Sequence, residues 1–161
     1  MSRSLEDIVR AQAETYGELV EAIALKREAI RTAKLDHVPA IAEHEATLIE
    51  RLRELDINRM KEADKLCKKL GIEDGTVSSI VEALPEEEGE RLASLAAMLC
   101  EQIETAKRES SIVRAAGEAL SMHMAGVMQS VRGVLATAGV YGRQGNLRTG
   151  VATISGLDVS S

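Results

Sequence analysis

The sequence predicts an all-α protein built from long antiparallel helices, a helical hairpin or coiled-coil-like bundle followed by a disordered C-terminal tail. Apolar residues recur at three- and four-residue spacing through most of the chain, the period of a helix with one buried face. The 161 residues include no Phe, no Trp and two Tyr, so the 45% hydrophobic content is Ala, Leu, Ile, Val and Met, the side chains of helix–helix seams. Charged residues make up 29%, as slender helices with much exposed face require.

The first helix is expected over residues 4–33, its apolar positions running Leu5, Ile8, Val9, Ala13, Tyr16, Leu19, Val20, Ile23 and Ile30. Ser4 with Asp7 makes a capping-box-like start. A second helix is expected over 37–70, with Asp36 as cap and Pro39 in the first turn, where a missing N–H costs nothing. Its seam passes through Val38, Ile41, Leu48, Leu52, Leu55, Ala63, Leu66 and Leu70, and Gly71 suits the position after its end. Glu45 and Arg59 interrupt that seam; the expectation is that both lie at its margin and snorkel to water.

Asp74-Gly75-Thr76 is a turn signal, and Val77, Ile80, Val81 and Leu84 fit a short helix over 76–84. Pro85-Glu86-Glu87-Glu88 then opens the last helix, proline first and carboxylates at the positive end of the dipole. It is expected over 86–138. If continuous it is about 75 Å long against about 50 Å for the second helix, so it outruns its neighbours or bends. The core should include Leu19, Ile23, Leu48, Leu52, Leu55, Leu66, Leu95, Leu99 and Ile103. The reading is thus one helical domain over 1–138 and a flexible tail over 139–161, which has too few large apolar residues to fold alone.

Several function classes drop out. A formal charge of −6 offers no basic stripe to neutralise phosphates, against a nucleic-acid partner. The start lacks an apolar signal region, and the longest nearly unbroken apolar run, Leu92 to Cys100, falls far short of the roughly 20 residues that span a bilayer. Membrane insertion is therefore not expected, and Cys67 and Cys100, 33 positions apart with no CxxC, read as reduced core thiols of a cytosolic protein. His44-Glu45 opens like a zinc-protease motif, but Leu48 stands where its second histidine belongs. No histidine follows a Glu by three residues, so di-iron ligand pairs are missing. The glycines at 139, 142 and 145 follow a helix rather than a strand, without Gly-Lys-Ser/Thr. No enzyme activity, cofactor or metal site is expected.

The run Leu35-Asp36, His44-Glu45, Leu48, Leu52, Leu55, Arg59 and Leu70-Gly71 resembles the E-x-x-L…L-x-x-L-x-x-x-R…L-G pattern of the FlgN family of flagellar export chaperones. A connector and a second long helix follow in that family's order, so the resemblance covers nearly the whole chain. The sharper match is Val140-Tyr141-Gly142-Arg143-Gln144-Gly145, similar to the family's Y-G-x-x-G after the last helix. The resemblance implies a cytosolic chaperone for the hook-associated proteins FlgK and FlgL. It implies delivery to the type III export gate, through the cytosolic domain of FlhA, with Tyr141 as a gate contact.

On that reading the C-terminal amphipathic helices of the clients bind Leu120, Met124, Val127, Met128, Val131 and Leu135. Methionines suit such a face because their unbranched, polarizable chains repack against different surfaces. The same spacing also suits an ordinary core stripe, but Met122 lies off it, which makes a wholly buried cluster hard to arrange. In the tail, Tyr141 is the expected aromatic anchor, with Val140 and Leu147 as lesser contacts. Two other readings stay open. One is an amphipathic protein coating a membrane or granule, although residues 72–110 carry ten acids and three bases, the wrong balance for such a surface. The other is a structural coiled-coil homodimer.

Overall fold

The structure, a computed structural model, describes residues 3–137, with side-chain surroundings through 133. Four helices form: α1 (Arg3–Arg31), α2 (Val38–Leu70), α3 (Val77–Ala83) and α4 (Glu86–Thr137), with a 3-10 turn over Leu35–His37 before α2. No strand occurs among the described residues, so the all-α expectation holds. The expected tail over 139–161 lies outside the described residues.

Helix ends follow local chemistry, with two departures from expectation. Ser4 lies inside α1 rather than at its cap, and its hydroxyl instead donates to Glu62 of α2. Asp36 does not cap α2; His37 occupies that position without a side-chain bond, because the preceding 3-10 turn already directs the chain. The far end of α1 closes through Lys34 N–H to Ala29 O at 2.8 Å and Ala33 N–H to Ile30 O at 3.1 Å. This is a Schellman closure with Ala33, at φ 56°, where glycine is usual. Gly71 closes α2 with φ 69°, a conformation L side chains rarely adopt.

Thr76 caps α3: its hydroxyl accepts from Ser79 N–H at 3.3 Å, while Asp74 accepts from Thr76 N–H at 3.1 Å and from the Ser79 hydroxyl at 2.9 Å. Those bonds, chiefly that from Ser79, hold the Asp74 carboxyl below its ordinary 3.8. The stabilisation they contribute is therefore complete above that value and is lost as pH falls through the lowered one. Thr76→Ala should cost about 1 kcal/mol in urea unfolding. An unchanged midpoint would mean that the turn stands without its cap.

Ion pairs set the directions of the helices. Lys26 meets Glu45 at 3.0 Å and Glu18 meets Arg51 at 3.9 Å, so α2 runs antiparallel to α1. Glu6 meets Arg91 at 3.5 Å and Arg27 meets Glu109 at 3.2 Å, so α4 runs parallel to α1. The result is an up-down-up arrangement in which α3 turns the chain at one end. Residues up to Gly117 form one compact unit and those from Glu118 a second; the bundle belongs to the first.

Two apolar clusters hold it. Leu5, Val9, Ala63, Leu66, Ile80 and Leu92 gather where α3 sits, and Leu19, Ile23, Leu48, Leu52, Ala106 and Val113 pack further along. Gly89 is needed at the first: a Cβ there would lie 2.8 Å from the Val81 carbonyl oxygen. Of the expected core, Leu19, Ile23, Leu48, Leu52 and Leu66 are buried. Leu55, Leu95, Leu99 and Ile103 are only half-buried, the last two because they line a cleft.

The charged seam positions also differ from expectation. Glu45 does not reach freely to water but is held by Lys26, with its Oε1 buried and without a partner. Arg59 is matched within α2 by Asp56 at 2.7 Å. Cys67 is a buried thiol as expected, whereas Cys100 is exposed at the cleft.

Candidate functional site

The second unit contains the stripe singled out in the sequence. Successive residues of a helix advance by about 100°, so Leu120, Met124, Val127, Met128 and Val131 fall on one side of α4. Met124 is 48% exposed, Val127 49% and Val131 47%, while Leu120 and Met128 are half-buried. Apolar groups left this open do not make up a finished core among the described residues. Met122, 75% exposed, lies off the stripe. Leu135 falls within α4 but its side-chain surroundings are outside the described residues, as are Val140, Tyr141 and Leu147 altogether. Five of the residues singled out in the sequence thus share one helix face.

Sequence patterning missed a second feature, in the first unit. An open cleft of about 650 Å³ lies among α1, α2 and α4, with Val77 and Ser78 of α3 also lining it. Its floor is α1, through Val9, Gln12, Tyr16 and Leu19, at helical spacing. Its walls are Ile49, Leu52, Arg53 and Asp56 of α2, and Ala96, Leu99, Cys100 and Ile103 of α4. Gln12 is 4% exposed, and its Oε1 is buried with no hydrogen-bond partner. The only hint in the sequence was a glutamine three residues after Val9 and four before Tyr16, inside an otherwise apolar seam.

Nearby polar groups are matched locally. The Thr15 hydroxyl, wholly buried, donates to Ala11 O at 2.7 Å, and Arg53 meets Glu50 at 3.1 Å. Apart from Asp74 in the turn before α3, shifted titrations sit on helix-surface pairs. The Arg31 guanidinium lowers the Glu28 carboxyl and Lys65 lowers that of Glu62, while the Asp64 carboxylate raises the Lys68 ammonium. Among the described residues no group of His, Cys, Asp and Glu is arranged to hold a metal ion, and no helix is long and apolar enough to cross a membrane.

Comparison with known proteins adds one finding. The family model described as FlgN protein matches residues 1–149. No curated protein and no solved structure matches the chain.

Proposed function

Because that match spans residues 1–149 of 161, the chain belongs to the FlgN family of flagellar export chaperones, and from this premise we propose that its clients are the hook–filament junction proteins FlgK and FlgL. It binds their C-terminal amphipathic helices in the cytoplasm, prevents their premature assembly, and delivers them to the cytosolic domain of the export gate protein FlhA. The observation that supports this is the open apolar stripe of Met124, Val127 and Val131, flanked by Leu120 and Met128. An amphipathic client helix, apolar along one face until it assembles, finds there the partner it lacks.

Magnitudes suit a carrier. Burying the remaining half of each of these three side chains contributes about 1 kcal/mol apiece, enough to add to a contact and too little to make it permanent. Met124 and Met128 adapt to two related helices better than branched residues would.

Delivery is assigned to Tyr141, with Val140 and Leu147 beside it. An aromatic anchor in a short polar segment binds weakly when ordering is part of the cost, which allows release and reuse. Tyr141→Ala should leave helix content and FlgK or FlgL affinity unchanged in circular dichroism and calorimetry, and should impair docking of the loaded complex to the FlhA cytosolic domain. Failure of the native chain to bind either client would overturn the proposed function. Loss of client binding in the variant, with gate docking intact, would reverse the two surfaces.

A further inference from the structure

Val113 is the last buried residue of α4, and from Arg114 to Gly133 every side chain is exposed or half-exposed. Among the described residues, the last ion pair that ties α4 to another helix is that of Arg27 with Glu109. Gly117 ends the first compact unit, so the part of α4 that carries the stripe is helical without the packing that encloses Leu92 and Ala106. Most helical stability in proteins comes from such packing, and propagation alone adds little per residue. Past Val113, local propensity is nearly all that holds the backbone.

Glycine sets that propensity low. Gly71 and Gly89 are explained by their surroundings: the first has φ 69°, and a Cβ on the second would lie 2.8 Å from the Val81 carbonyl oxygen. Gly117 and Gly126 have no such reason. Neither has a positive φ, and a Cβ on either would meet nothing within 4 Å, so alanine would fit. Inside a helix a glycine lowers the local equilibrium constant about five-fold relative to alanine. We propose that residues 118–133 are a marginal helix, open about as often as closed in the free chain, which the partner on the stripe completes, with Gly126 setting how far that ordering weakens the contact. A face that must order as it binds holds its partner less tightly than one already formed, in proportion to the fraction formed. That the partner is a client helix rests on the function proposed above; there the glycine limits affinity so that cargo can be released.

Amide hydrogen exchange on the full chain, read by mass spectrometry, tests this first without a partner. Amides of 118–133 should exchange within about ten-fold of an unstructured peptide, while those around Leu92 exchange only as the bundle opens. Two variants then move the helix in opposite directions. Gly126→Ala should be protected about five-fold more in this segment than Ala125→Gly, with the native chain between them. Both positions are exposed and off the stripe, Gly126 on the side opposite it, so neither variant alters the contact surface. Calorimetry against FlgK and FlgL should give the same order and the same spread of about five-fold, tightest for Gly126→Ala. Either client should also protect 118–133 of the native chain. Protection of 118–133 equal to that around Leu92 in the free chain overturns the proposal, and so do client affinities that fail to follow the two variants. A native chain that binds neither FlgK nor FlgL, while exchange in 118–133 still follows both variants, overturns the client reading and leaves the marginal helix standing.

Discussion

Replacing Val127 and Val131 together with Asp is expected to lower client affinity at least about 100-fold, because the loss of about 1 kcal/mol of burial at each side chain is compounded by the desolvation cost of an unpaired carboxylate in an apolar contact. Both side chains are nearly half exposed, at 49% and 47%, so the free chain loses little packing and its helix content should not change. Met122→Asp is the matching control. It puts the same charge on the same helix but off the stripe, at a side chain 75% exposed, and client affinity should stay within about two-fold, the reach of an ordinary surface change. Calorimetry against FlgK and FlgL distinguishes the outcomes. Unchanged affinity in the double variant places the client contact elsewhere, and equal losses in all variants would point to charge rather than to the stripe.

Leu92→Ala should produce the largest loss of stability, about 3 kcal/mol by denaturant unfolding. Leu92 is fully buried, in the cluster where Leu5 and Val9 of α1, Ala63 and Leu66 of α2 and Ile80 of α3 meet α4. Removing its branched end leaves a cavity that four helices border, and Gly89, already in close contact with the Val81 carbonyl, limits how far α4 can move to fill it. Leu25→Ala on the exposed face of α1 should change stability by about 0.5 kcal/mol or less. A loss under about 1 kcal/mol for Leu92→Ala would mean that this end of the bundle collapses around the vacancy or contributes little to the fold.

Much of this molecule follows from patterns that are local in the chain. Helical periodicity, the Gly71 stop, the Asp74-Gly75-Thr76 turn and Pro85 with its acidic run are encoded within a few residues each, and α2 and α3 begin and end, and α4 begins, within a residue of where those signals put them. The stripe of Leu120 to Val131 was equally legible, since side chains three and four apart on one helix share a face whatever surrounds them. Helix caps were less so. Ser4 and Asp36 carry the right chemistry for caps, but a hydroxyl within reach of Glu62 and a preceding 3-10 turn took them elsewhere.

The sequence by itself determined the helix class, the bounds of α2 and α3 and the apolar face of the last helix, because each depends on backbone geometry and near-neighbour spacing. Only the tertiary structure decided which seam residues are enclosed. Periodicity treats Leu95, Leu99 and Ile103 as equivalent to Leu92, yet Leu92 is sealed beneath α3 while Leu99 and Ile103 border an open cleft. It likewise decided that Glu45 meets Lys26 rather than water, that Cys100 is accessible, and that Gln12 is buried with its amide oxygen unmatched. Each of these depends on how far apart α1, α2 and α4 lie at a given level. That separation is set by side chains remote in sequence, and the spacing within any one helix does not record it.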